Sequence, residues 1–241
     1  MCFLDILNNK RNMVFLGESG SGKSEIALNV AAALAEAGQT VDLFDLDQTK
    51  PLFRSRDALQ KLAGSGIRIH YAEQLLDTPV IVPGVRESLM SPDAYTILDI
   101  GGFDIGAKMI GRFAGLLDNS RASNPSEPSD AKESPGAEAF YIVNPYRPWS
   151  GDAEHIRITM EGIRRATRLS QFTCIANPHL GPETTAEEFL QGLEMTRVRL
   201  PEGVPLRGAC CRKELIEEIR QSGVTLPLQP LQLFLSYEWT A

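Results

Sequence analysis

Eight residues near the N-terminus, Gly17-Glu18-Ser19-Gly20-Ser21-Gly22-Lys23-Ser24, restrict the fold more than any other feature of the chain. They form a complete G-x-x-x-x-G-K-[ST] phosphate-binding loop. An apolar run, Met13-Val14-Phe15-Leu16, precedes the loop, and Ile26, Val30, Ala33 and Leu34 follow it at helical spacing. This is the order of strand, glycine loop and helix that the motif requires. Glycines let the backbone curl until successive N–H groups face phosphate oxygens. A helix starting near Gly22 adds the positive end of its dipole. Lys23 is then placed to reach the β- and γ-phosphates, and the Ser24 hydroxyl to ligate Mg²⁺. The plain alternative is a glycine-rich turn that leads into a helix and binds nothing.

Length and composition narrow the frame around this loop. With 241 residues, 43% of them apolar and 23% charged, the chain has the makeup of an ordinary globular α/β protein. No stretch reads as a linker, so one domain over residues 1–241 is expected. The net charge of -7 gives no strong nucleic-acid signal and argues against non-specific nucleic-acid binding as the main activity. The apolar runs are too short to span a membrane. The N-terminal Met1-Cys2-Phe3-Leu4-Asp5-Ile6-Leu7 has neither the basic start nor the long apolar stretch of a secretory signal, so a cytoplasmic location is expected. The four cysteines, Cys2, Cys174, Cys210 and Cys211, offer no C-x-x-C spacing and read as reduced thiols. Cys210 and Cys211 are adjacent, so in a strand they face opposite ways and cannot share one ion. His70, His155 and His179 have no metal-ligand spacing.

Short β-like runs alternate with helical patterns, which predicts βαβ units around a mostly parallel sheet flanked by helices, a three-layer α/β architecture. Strands are expected at residues 12–16, 40–44, 67–71, 95–100, 140–143, 172–176 and 204–211. Helices are expected from the loop to about residue 37, over about 152–168 and over 213–221. A further helix, capped at Thr184 or Thr185, carries Glu187 and Glu188 at capping-box positions. The proline-broken tail, residues 226–237, reads either as a packed arm or as an edge element. Residues 120–137 are rich in Ser, Pro and acids, have little to bury, and read as a mobile surface loop inserted between a helix and a strand.

A phosphate loop needs acids to become a hydrolytic site, because Mg²⁺ must be held and a water oriented. Asp99 closes the apolar run Tyr95-Thr96-Ile97-Leu98, the Walker B pattern of a hydrophobic strand followed by an acid. At a strand C-terminus it would lie beside the loop, at the edge where open α/β sheets bind ligands. It would hold Mg²⁺ through a coordinated water; its alternative is a carboxylate that caps the next turn. Asp45 and Asp47 end the preceding strand as an Asp-x-Asp pair, with both acids on one side of an extended backbone. They could act together on Mg²⁺ and on the attacking water. Gln48-Thr49-Lys50-Pro51 beside them also suits a solvated turn.

Phosphate loop, helix, Asp-x-Asp strand end with Pro51 nearby, then a Walker B strand ending Asp-x-Gly: this order resembles the MinD/ParA-like branch of the SIMIBI class of P-loop NTPases. It runs from about residue 12 to about residue 220. The resemblance implies that Asp47 orients the hydrolytic water and that Asp45 assists at the metal. It implies a purine-base contact for an Asn after a later strand, a place that Asn177 in Ile175-Ala176-Asn177-Pro178 fits; an Asn before a Pro is equally an ordinary turn residue. It further implies ATP and Mg²⁺ as cofactors, slow hydrolysis as a conformational switch, and output through a protein partner in a partition, metal-insertion or enzyme-activation role. The sequence departs from the pattern at Glu18, where most relatives carry a second Lys that reaches a partner's nucleotide across a dimer. An acid there would repel phosphate if it pointed inward, so it is expected to point out. Lys10, Arg11, Arg54, Arg56 and Arg147 are candidates for compensating charge.

Gly101, Gly102 and Phe103 after the Walker B strand are expected to report the γ-phosphate state. Arg54 and Arg56 follow the Asp pair and read as phosphate sensors or as solvated surface. Asn144-Pro145-Tyr146-Arg147-Pro148-Trp149, at another strand end, reads as a rim for substrate or partner or as a packed turn. Two rival functions remain: a small-molecule kinase built on the same loop, and a module that holds nucleotide without turnover. A GTPase is disfavoured because no Asn-Lys-x-Asp follows any strand. A nucleotide-dependent homodimer is the expected assembly if Glu18 does not prevent it.

Overall fold

A computed structural model of the chain describes residues 6, 10–47, 66–71, 82–102, 106–118 and 135–235. Arg54, Arg56, the turn at residues 48–51, Phe103 and residues 120–134 of the expected loop lie outside the described residues.

Among the described residues, eight strands form one sheet. In chain order they are β1 (Asn12–Gly17), β2 (Val41–Leu46), β3 (Ile67–His70), β4 (Tyr95–Ile100), β5 (Glu138–Val143), β6 (Thr173–Ala176), β7 (Leu206–Arg212) and β8 (Leu228–Leu231). Their order across the sheet is β3-β2-β4-β1-β5-β6-β7-β8, and every pairing is parallel. The described helices are α1 (Lys23–Glu36), α2 (Val85–Met90), α3 (Ala114–Leu117), α4 (Ala153–Thr167), α5 (Ala186–Arg199) and α6 (Ile216–Gln221). A parallel sheet needs such crossovers, and they cover both of its faces.

Alternation along β1 shows the layers directly. Met13 and Phe15 pack with Ile26, Val30 and Leu34 of α1 on one face, while Val14 and Leu16 pack with Val85 and Leu89 of α2 and Ile156 and Ile163 of α4 on the other. All six β1 positions are buried, as expected of a central strand. Cys210 joins the α1 face and Cys211 the cluster around α5 and α6, so the adjacent thiols lie on opposite faces. Burial pushes both pKa values up, that of Cys211 to about 12.

Four elements add to or refine the expectation. β2 extends through Asp45 and Leu46, because Leu46 is buried against the α2 face. The ambiguous tail supplies an edge strand, β8, whose Pro230 sits where a missing donor is tolerated. The chain beyond it is fastened to α1: Asn29 exchanges hydrogen bonds with the Gln232 main chain, and the Glu25 carboxylate accepts from Phe234 and Leu235 N–H. Finally, α2 and α3 were too short to leave a periodic signal.

Candidate nucleotide and metal site

The topology fixes where chemistry can gather. β1 lies between β4 and β5, so the loop after β1 is walled by the C-terminal ends of both neighbours. Gly22 caps α1 at φ 96, in the left-handed region, and no side chain caps the helix. The first-turn N–H groups are thus left for an anion. A Cβ at Gly22 would also collide with the side-chain amide of Asn177. Lys23 is buried, and its ammonium donates to the Glu18 carbonyl at 2.7 Å, held at the loop that it is expected to serve.

The acids arrive on the other wall. Asp45 and Asp99 are register partners on β2 and β4, and Phe15, two residues before the end of β1, aligns with Asp99. Asp99 is 5% exposed and accepts a hydrogen bond from Ser24. Burial first, and then the neighbouring Asp45, push its pKa up to about 7; Ser24 and Lys23 oppose that rise. Asp45 Oδ1 accepts the Asp47 N–H at 3.1 Å, which turns the chain as it leaves β2. Asp47 then lies against the next turn: a Cβ at Gly101 would fall 2.8 Å from Asp47 Oδ1. At Gly102 a Cβ would fall 2.7 Å from Ser19 N, so only glycine lets the β4 turn touch the phosphate loop. The predicted set of Gly17 to Ser24, Asp45, Asp47 and Asp99 is therefore brought together.

Among the described residues, four buried side-chain oxygens lack a hydrogen-bond partner: Asn12 Oδ1, Glu18 Oε2, Ser21 Oγ and Asp99 Oδ1. Two of the four, Ser21 Oγ and Asp99 Oδ1, line this site, which is the pattern of a place completed by a ligand. The all-oxygen donors Ser24 and Asp99, with Asp45 alongside, suit a hard divalent cation. No three His, Cys, Asp or Glu among the described residues could hold a metal ion by themselves.

Glu18 does not point out to solvent. It is 1% exposed, and its Oε1 accepts from the Ser150 hydroxyl at 2.7 Å while the Trp149 N–H also donates to the carboxylate. Burial raises its pKa, opposed by Ser150, Lys23 and Arg147. The carboxylate is engaged by the loop after β5, and its main chain remains in the phosphate cradle. No sequence signal marks Ser150, because the two partners are 132 residues apart.

Asn177, 2% exposed at the end of β6, donates from Nδ2 to the Ser21 carbonyl at 2.8 Å. It touches the loop as expected of a site residue, and in this arrangement it braces Gly22. A separate cavity of about 800 Å³ opens at the N-terminal ends of β5, β6 and β7, lined by Glu138, Thr173, Arg164 and Arg207 among others. It lies at the opposite edge of the sheet and takes no part in this site.

A nucleotide-binding P-loop domain is what this fold and site define. The family model described as the CobQ/CobB/MinD/ParA nucleotide binding domain matches residues 13–222, and the chain belongs to that family, within the SIMIBI class of P-loop NTPases. No curated protein matches it. Among solved structures, it is similar to the cell division protein FtsY from Thermotoga maritima, at 14% identity and a TM-score of 0.50, covering 82% of this chain and 60% of that one. It is also similar to FtsY from Mycoplasma mycoides, at 13% identity and a TM-score of 0.53, covering 84% and 60%. These likenesses show the fold, and the chain spans about 60% of the length of either relative. No described helix is long and apolar enough to cross a membrane.

Proposed function

We propose that this chain binds ATP with Mg²⁺ at residues 17–24 and hydrolyses it slowly, the cycle switching its affinity for a protein partner. The observation that carries this reading is the convergence of a buried Lys23, the uncapped N-terminus of α1 and three strand-end carboxylates on one loop. The unpartnered Ser21 Oγ and Asp99 Oδ1 support it.

In this reading Lys23 exchanges the Glu18 carbonyl for phosphate oxygens, and the loop N–H groups hold the remaining negative charge. Ser24 and Asp99 hold the cation, with Asp45 beside them; when bound, Mg²⁺ neutralises phosphate charge and fixes the geometry of the phosphate chain. Asp47 orients the attacking water in line with the leaving group. Gly101 and Gly102 link these events, since one abuts Asp47 and the other the Ser19 main chain. A change at the γ-phosphate would therefore move the β4 turn, the switch through which a partner is read. Asn177 is the proposed base contact, reached from its present place on Ser21. The setting is cytoplasmic, and the partner is a protein or a second copy of this chain.

Two variants test the assignment. Lys23→Ala is expected to abolish Mg-ATP binding in a calorimetric titration. Asp47→Ala is expected to bind Mg-ATP within about threefold of wild type and to lose turnover by roughly a hundredfold or more. Unchanged turnover in Asp47→Ala would remove that residue from the mechanism. A phosphorylated small molecule among the products would make the protein a kinase instead, and binding without any turnover would make it a passive nucleotide module.

A further inference from the structure

The position that carries a signature Lys in similar chains is Glu18 here, and its carboxylate is held by Ser150. The loop that holds it, residues 144–151, also brings a cation to the phosphate loop. Arg147 Nε donates to the Gly20 carbonyl at 3.1 Å. Its Nε, Cδ and Cζ lie 3.5–3.8 Å from where a Gly20 Cβ would stand, so the guanidinium covers the outer side of that residue. Its terminal amino groups make no hydrogen bond or ion pair to a described residue.

Arg147 is mounted rigidly. Asn144 is buried; its Oδ1 accepts the Tyr146 N–H and its Nδ2 donates to the His179 carbonyl. The Tyr146 hydroxyl donates to the Glu188 carbonyl on α5 at 2.5 Å. Arg199 Nη1 donates to the Pro145 and Ser150 carbonyls, bridging the two ends of the loop. The Arg147 N–H closes a turn on Asn144 O, and the Ser150 N–H closes the next on Arg147 O. With its backbone fixed on both sides and Nε held on Gly20 O, Arg147 has only its terminal amines left to order when it binds. Lys10 is different: its ammonium donates to Pro135 O, far from the site. Arg11 lies over the Tyr95 ring.

We propose that Arg147 is a phosphate-contacting residue acting within its own chain, with the 144–151 loop, anchored on Glu18, replacing the lysine that similar proteins send across a dimer. This rests on the nucleotide reading above. Arg suits the role: its planar fork matches phosphate oxygens, and Nε can keep the Gly20 carbonyl while the terminal amines engage the ligand. Glu18 follows from the same arrangement. A carboxylate between the loop and residues 149–150 locks the Arg-bearing segment onto the cradle, which a lysine at position 18 would not do.

The test is calorimetric titration of Mg-ATP, Mg-ADP and AMP into wild type, Lys23→Ala, Arg147→Ala and Arg147→Lys, with thermal melts of each. Arg147→Ala is expected to melt as wild type does, because the side chain is exposed. It should lose roughly tenfold to hundredfold in ATP affinity, less for ADP and almost nothing for AMP. Arg147→Lys should recover part of the loss. If Arg147→Ala binds ATP as tightly as wild type, the proposal is wrong. An equal loss on all three nucleotides would make Arg147 a brace of Gly20, which also overturns it. If wild type itself binds none of the three, the nucleotide reading fails first and takes this inference with it.

Discussion

Asp99 shows how one residue can be costly to the empty fold and useful to the loaded one. Its pKa lies near 7 in place of the ordinary 3.8, because burial and Asp45 both oppose its charge. Between those values the folded chain holds a proton that the unfolded chain has released. Stability therefore falls as pH rises from about 4 to about 7, and above about pH 7 the full penalty is present. Asp99→Asn should remove it. In buffer free of magnesium and nucleotide, the variant is expected to be more stable than wild type above about pH 7, on the order of a few kcal/mol. The gap should close towards about pH 4. Urea unfolding at both ends of that range checks the sign, and a gap independent of pH would show that Asp99 is not destabilised in this way. The place of Asp99 beside the phosphate loop was legible in the sequence, since an acid that closes an apolar strand falls at the edge where that loop lies. The inward turn of Glu18 was not, because it depends on donors at Trp149 and Ser150 that only the folded sheet brings near.

Polar networks add to the core in holding elements in place. β2, which carries Asp45, is tied to β3, α2 and β4 through Asp42. That carboxylate accepts from Arg68 Nε at 2.8 Å and Nη2 at 2.6 Å, pairs with His70 Nε2 at 2.7 Å and accepts from Ser88 Oγ at 3.3 Å. Ser88 Oγ in turn meets Thr96 Oγ1 at 2.7 Å. Burial raises the Asp42 pKa, but the Arg68 and His70 hydrogen bonds outweigh it and the net shift is downward. This contribution is present above the unfolded pKa of 3.8 and is lost as pH falls below it. Asp42→Asn is expected to cost about 1–3 kcal/mol at neutral pH, a modest figure because Arg68 is 60% exposed. The difference from wild type in chemical denaturation should shrink below about pH 4.

At the start of α5, Thr185 Oγ1 accepts the Glu188 N–H, and the Glu188 carboxylate accepts the Thr185 N–H, the capping box expected from the sequence. Thr185→Ala should cost about 1 kcal/mol in the same assay, and Thr185→Ser close to nothing. This box was readable because its residues are three apart. The Asp42 network was not, since its members come from four separate segments.

For the molecule as a whole, the sheet order β3-β2-β4-β1-β5-β6-β7-β8 does most of the functional placement. It sets β1 between an acid-bearing strand and the strand whose following loop carries Arg147 and Ser150. Alternation of apolar runs and helical spacing made the parallel sheet readable, and the glycine loop identified the strand that leads into the site; that this strand sits centrally came from the structure. The edge was harder: β8 is short and contains Pro230, and its place follows from apolar cover on β7 more than from its own pattern. The family relation agrees with this architecture and accounts for residues 13–222. The central claim is that a triphosphate with its cation occupies the loop between β1 and α1. A crystal structure of the protein grown with Mg²⁺ and a non-hydrolysable ATP analogue tests it directly. Phosphate density is expected against the main-chain N–H groups of residues 19–24, with Lys23 turned from Glu18 O to the phosphates and the cation between Ser24 and the Asp99 side. An unliganded loop at saturating analogue, or a nucleotide bound elsewhere on the molecule, would contradict it.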